Sequence, residues 1–203
     1  DTQAVQKLWQ YCFADDERFA QWYFQQYYKP ENTLGVYEEE RLLAATQVID
    51  YTMMLRGQPF AAGYVVGVST APDARRQGLG EQMLAGALEL MRKRGQGLSL
   101  LMPFEGEFYY RYQWQFVYFQ QRLKVAVNEL RGLAKPYGRL QLVEAGEHLS
   151  ELQTVYGRFC QGRNGYILRD EAKWQRLLTD AALQQGFCCI LYHEDQPEGY
   201  AFY

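Results

Sequence analysis

The chain has 203 residues, 48% of them hydrophobic and 22% charged, and a formal net charge of −3. That length buries a sizeable core in one large domain or one and a fraction, and an aromatic content of 16% excludes disorder. With no basic run longer than Arg92-Lys93-Arg94, nucleic acid and anionic membrane surfaces are poor partners. No stretch nears the ~20 apolar residues that span a bilayer, and the start lacks a signal-peptide pattern. A cytoplasmic protein is the expectation.

Val5, Leu8, Trp9 and Cys12 recur at helical spacing, so the chain opens in helix. Phe19, Trp22, Tyr23 and Gln26 form a second helix that stops before Pro30, because the residue before a proline is pushed out of the helical region. Strands follow over Leu34–Tyr37, Leu42–Leu55 and Phe60–Val68, parted by Glu38-Glu39-Glu40 and Gly57-Gln58-Pro59, as in an antiparallel meander. A third helix runs from Leu79 through Met83, Leu84, Ala87, Leu88 and Met91 to a stop at Gly95 and Gly97. Leu98–Met102 reads as a buried strand, Glu105–Tyr112 as one or two helical turns, and Phe116–Val127 as a long alternating strand.

Residues 128–138, with Gly132 and Pro136, form the expected linker. Beyond it the order restarts as strand Leu140–Val143, helices Leu149–Phe159 and Glu171–Leu183, strand Phe187–Tyr192 and a last strand from Gly199. Cys12, Cys160, Cys188 and Cys189 have neither zinc nor disulfide spacing, so buried, reduced thiols are expected. With only His148 and His193, metal catalysis has little material, and G-x-S-x-G is absent.

The stretch Arg75-Arg76-Gln77-Gly78-Leu79-Gly80 joins a strand to a long helix. Unsatisfied amides at the helix start favour an anion, Gly78 and Gly80 let a phosphate come close, and the arginines add charge. No G-K-[ST] follows, and Met83 stands where a dinucleotide loop needs its third glycine. The pattern R-x-x-G-x-G after a strand resembles the coenzyme A pyrophosphate loop of the GNAT N-acetyltransferase superfamily.

The segment from Pro103 to Trp114 sharpens the resemblance. It is similar to E-G-x-x-Y-x-R-[FY]-x-[YW] of the Eis-type (enhanced intracellular survival) acetyltransferases. Arg163-Asn164-Gly165, Leu168-Arg169-Asp170-Glu171 and Trp174 look like that family's second region. The resemblance implies an α/β (α+β) fold, a mixed, mostly antiparallel sheet flanked by helices. It also implies a first GNAT domain over 1–127 lacking its first strand, an incomplete second GNAT-like domain over 139–203, and a homo-oligomer. On this view the chain is an N-terminal fragment, and the general base is the family's C-terminal carboxylate, outside it.

Acetyl transfer from a thioester needs a neutral amine, donors for the carbonyl and an acid for the departing thiolate. A tyrosine of pKa ~10 can protonate a thiolate whose acid has pKa ~8.5. By spacing alone Tyr109, Tyr110 and Tyr112 compete, and the family motif matches Tyr109. The resemblance also implies that the main chain of Val68, Ser69 and Thr70 pairs with pantetheine as an added strand. It further implies that Arg75, Arg76, Gln77, Gly78, Leu79, Gly80 and Glu81 surround the pyrophosphate and that Phe104 and Glu105 line the pantetheine side. Acetyl-CoA is thus the expected co-substrate, with no metal, and a small-molecule or lysine amine the expected acceptor. Asp15, Asp16 and Glu17 are either an attractor for a cationic amine or, for at least two of them, helix-capping acids. A non-catalytic coenzyme A-binding scaffold or sensor is the alternative, and other acyl donors fit the same fold.

Overall fold

Helix α1 (Thr2–Cys12) begins where the Asp1 carboxylate accepts from the amides of Gln3 and Ala4, and it buries Val5, Leu8 and Trp9. The computed structural model describes residues 1–13, 17–131, 137–144 and 146–203. Helix α2 (Glu17–Gln26) buries Ala20, Tyr23 and Phe24. Strands β1 (Thr33–Glu38), β2 (Arg41–Leu55) and β3 (Gln58–Thr70) pair antiparallel in succession. Helix α3 (Leu79–Lys93) then returns the chain to β4 (Leu98–Leu101), parallel to β3, and α4 (Gly106–Tyr110) follows.

These elements, with β6 (Tyr166–Ile167) paired to Met53 and Met54 of β2, make one compact unit of residues 1–114 and 164–168. Its sheet order is β1-β2-β3-β4, and the expected mixed, mostly antiparallel sheet with flanking helices is borne out. Alternation sends Ala45 and Val48 to opposite faces of β2. Trp9, Tyr23 and Phe24 pack in one cluster with Leu43 and Ala45, while Leu84, Ala87 and Met91 of α3 cover Val48 and Val65.

The first of these clusters holds one buried polar pair, in which the Tyr23 hydroxyl donates to Gln47 Oε1 at 2.7 Å. Burial pushes the Tyr23 phenol above its usual 10.0. The folded phenol stays neutral where the unfolded one ionises, so this contribution to stability is complete below pH 10 and is lost as the pH climbs above it. Tyr23→Phe strands the amide of Gln47, which is 1% exposed. Urea unfolding is expected to report a loss of about 1–3 kcal/mol.

The second unit comprises residues 115–163 and 169–203. Strands β5 (Arg139–Val143), β7 (Cys188–His193) and β8 (Gln196–Phe202) form an antiparallel sheet, with helices α6 (Leu149–Cys160) and α7 (Glu171–Leu183). Leu152, Trp174, Leu178, Cys188, Ile190 and Tyr192 are its core. All four cysteines are free, and burial pushes the Cys188 thiol up to about 11, which keeps it protonated and unreactive.

One expected element is absent. The segment from Phe116 to Ala126 is not a strand, and Val127 begins the short helix α5 (Val127–Leu130). Its alternation is a strand pattern that pairs with no neighbouring strand among the described residues, and Phe119 and Leu123 stay exposed. Of the expected linker, residues 132–136 lie outside the described residues.

Candidate active site

The site grows out of an irregularity in β3. Val66 stands opposite Gln47 and Ser69 opposite Ala45, so β3 carries one extra residue. That residue is Gly67, at φ +66, the left-handed conformation of a bulge glycine. A Cβ on Gly67 would sit 2.4 Å from Cζ3 of Trp9, so α1 closes directly onto the bulge.

Strand β4 accompanies β3 only from Ala62 to Val65. Beyond the bulge, the β3 edge facing away from β2 has no strand partner among the described residues. Val68, Ser69 and Thr70 lie on this freed stretch. The Ser69 hydroxyl is turned inward and donates at 3.3 Å to the carbonyl of Ala45, the residue it stands opposite in β2. The Thr70 carbonyl already accepts from Cys12 Sγ at 3.6 Å and from Arg75 Nε at 3.5 Å.

The strand runs into a 3-10 turn, Pro72–Ala74, tied down by the Arg41 guanidinium on both oxygens of Asp73. That pairing holds the Asp73 carboxyl below its ordinary range. Gln77 donates to the Asp73 carbonyl at 3.3 Å, and the Arg75 guanidinium lies 5.8 Å from the Tyr11 ring. Arg76, Gln77 and Gly78 are exposed.

Gly78 is the N-cap of α3, left-handed at φ +80, with no side chain capping the helix. The first-turn amides at Leu79, Gly80 and Glu81 are therefore open to an anion. A Cβ on Gly78 would meet nothing within 4 Å, so the space in front of the turn is clear. Gly80 has a different part from the one its spacing suggests. A Cβ there would lie 3.1 Å from Phe108 Cζ, so its bareness seats α4 against the start of α3.

Helix α4 then places Tyr109. It is buried among Val48, Val65, Leu84, Ala87 and Met91, beside the line where β3 and β4 part. Tyr110, the next residue, is 42% exposed, and Tyr112 is half-buried. Burial, and secondarily the nearby Tyr64, raises the Tyr109 phenol above 10.0. Exposed Phe104 flanks it, with ring centroids 6.1 Å apart, and Glu105 is the N-cap of α4.

The acidic residues Asp15 and Asp16 lie outside the described residues. Glu17 starts α2 and accepts from Gln21 at 3.4 Å, as a first-turn acid does. Among the described residues no cluster of three His, Cys, Asp or Glu side chains is placed to hold a metal, and no helix is long and apolar enough to cross a membrane.

A mixed sheet with a bulge in β3 just beyond its pairing with β4, and a glycine-capped helix following that strand, make up the fold of the first unit. The solved structure of a probable N-acyltransferase from Enterococcus faecalis shares it, with a TM-score of 0.73 over 100% of this chain and 52% of that one, at 17% identity. A model of the acetyltransferase (GNAT) domain matches residues 1–117, and the chain belongs to that family. It is 29% identical over 164 residues to an uncharacterised N-acetyltransferase of Streptomyces coelicolor, covering 76% of this chain and 39% of the relative. It is also similar to N-acetyltransferase Eis of Mycobacterium tuberculosis, 28% identical over 142 residues, which cover 67% of this chain and 35% of Eis. The chain thus spans less than two fifths of the length of these relatives.

Proposed function

We propose that this chain carries the coenzyme A-binding and acid-donating part of an N-acetyltransferase that moves an acetyl group from acetyl-CoA to a primary amine. The observation that carries the reading is the convergence of three features in one unit. These are the open amides of α3 behind Gly78, the β3 edge at Val68–Thr70 that no strand pairs with among the described residues, and Tyr109 buried against Val65, the last β3 residue paired with β4.

The site fits the co-substrate part by part. Pyrophosphate oxygens accept from the amides of Gly78 to Glu81, with Arg75 and Arg76 adding charge. Pantetheine lies along the freed β3 edge as an added strand, with Phe104 and Glu105 beside it. Gln77 contributes through its main chain, because its side chain is engaged by the Asp73 carbonyl.

In the transfer, the neutral amine nitrogen attacks the thioester carbonyl and the C–S bond breaks. The thiolate takes the Tyr109 hydroxyl proton, and the nitrogen releases its proton to a general base. Tyr109 returns to its neutral form from solvent.

Calorimetry with acetyl-CoA tests the cofactor half. Gly78→Glu places a carboxylate in the open space before the helix, at a φ only glycine adopts freely. It is expected to weaken binding by roughly tenfold or more, since 1.4 kcal/mol is tenfold and a carboxylate in contact with a pyrophosphate, on a strained backbone, costs about that much. Absence of binding by the unaltered chain, or equal affinity of the variant, overturns the assignment.

A further inference from the structure

The second unit contains a cation that the transfer reaction leaves unused. Arg169, immediately before the Asp170 N-cap of α7, lies with its guanidinium carbon 4.1 Å from the Tyr156 ring centre and 4.9 Å from that of Trp174. Nη1 donates to the Tyr200 hydroxyl at 3.1 Å. No carboxylate pairs with Arg169 among the described residues. The adjacent Asp170 is taken by Lys173, through both the main-chain amide and Nζ.

We propose that Arg169 is the cationic centre of a carboxylate-binding site. The two rings, perpendicular to each other with centroids 5.7 Å apart, hold the guanidinium by cation–π attraction and shield it from water on two adjacent sides. Its remaining donors are confined to the plane, in the fork geometry that matches a carboxylate. In such half-desolvated surroundings a charge interacts more strongly than in water.

The neighbouring polar groups are donors as well. The Tyr200 hydroxyl, which accepts from Arg169, keeps its own proton for another acceptor. The indole Nε1 of Trp174, a residue with no exposed surface, has no acceptor among the described residues. One unneutralised positive charge among donors selects a monoanion. The planar fork selects a carboxylate over a spherical halide, and among the described residues no second cation shares the Tyr200 hydroxyl or the two rings with Arg169, which disfavours a phosphate dianion.

The test uses the indole N–H signals of the whole chain labelled with nitrogen-15. Trp9, Trp22, Trp114 and Trp174 give four signals, and Trp174→Phe identifies the relevant one. Sodium acetate is titrated against sodium chloride at equal ionic strength. The expected result is a Trp174 shift that saturates with acetate in the millimolar range and responds only weakly and linearly to chloride. Arg169→Gln abolishes saturation, while Arg169→Lys keeps it at lower affinity. If Arg169→Gln does not fold, Tyr200→Phe serves instead and weakens acetate binding severalfold. An identical response to acetate and chloride overturns the proposal, as does saturation that survives Arg169→Gln or is unchanged by Tyr200→Phe.

Discussion

Tyr109→Phe is expected to lower acetyl transfer by roughly 10²–10⁴-fold, the usual worth of a general acid, with acetyl-CoA affinity nearly unchanged. The substitution removes one oxygen and keeps the ring that packs against Val65, Leu84 and Met91. Loss of turnover without loss of binding is then the mark of a group that acts only as the C–S bond breaks. Thiol release from acetyl-CoA over a panel of primary amines gives the rate, and calorimetry gives the affinity. Tyr110→Phe is the control, because that neighbour is exposed and is expected to keep near-normal turnover. Full activity in Tyr109→Phe would move the acid elsewhere.

The pH profile carries a second signature of the same residue. An acid whose pKa lies above 10 stays protonated across the neutral range. Ionisation of Tyr109 therefore lowers the rate only above pH 10, and the rise on the acidic side belongs to deprotonation of the amine. In Tyr109→Phe the acidic limb is expected to remain and the alkaline fall to disappear. An alkaline limb centred well below pH 10 would assign the acid to a less buried group.

Why the sequence was legible in some places and not others follows from the range of the forces involved. The helices and meander strands are set by local periodicity, and α7 begins and ends at the residues its pattern indicates. Leu79 to Met91 shows the same, since a stripe of apolar residues at helical spacing has one way to bury itself. The alternation of Phe116 to Val127 depends on a partner strand, which no local pattern can guarantee. The two-residue strand at Tyr166–Ile167 pairs with β2 from more than a hundred residues away and has no periodicity to detect.

The site divides in the same way. Gly78 and the arginines are readable because a helix start and its charge are local facts. The part of Gly80 is not, because it depends on Phe108, which reaches it only once α3 and α4 have packed. Among three tyrosines within four positions, spacing could not choose, and burial separates them. Tyr109 is 6% exposed and Tyr110 is 42% exposed.

Gly67 had a signal, a lone glycine inside the β-branched run Val65-Val66-Gly67-Val68, which marks a bulge. Gly67→Ala is expected to be the most damaging single-methyl change in the first unit. Its new Cβ would occupy a left-handed backbone position and would also press into Trp9. The strained backbone costs about 1–3 kcal/mol and the overpacking about 1–3 kcal/mol more. Relief of either strain requires β3 to straighten, which slips its register by one residue and exchanges the faces of Val68 and Ser69. The freed edge then changes its hydrogen-bonding direction, so acetyl-CoA binding is expected to weaken together with stability. Trp9→Leu separates the two costs. In a double-mutant cycle the pair should be less destabilised than the sum of the single changes, because shortening Trp9 makes room for the methyl but leaves the backbone strain. Strict additivity in urea unfolding would mean that α1 does not bear on the bulge. Unchanged stability and affinity in Gly67→Ala alone would mean that the bulge does not set the geometry of the β3 edge.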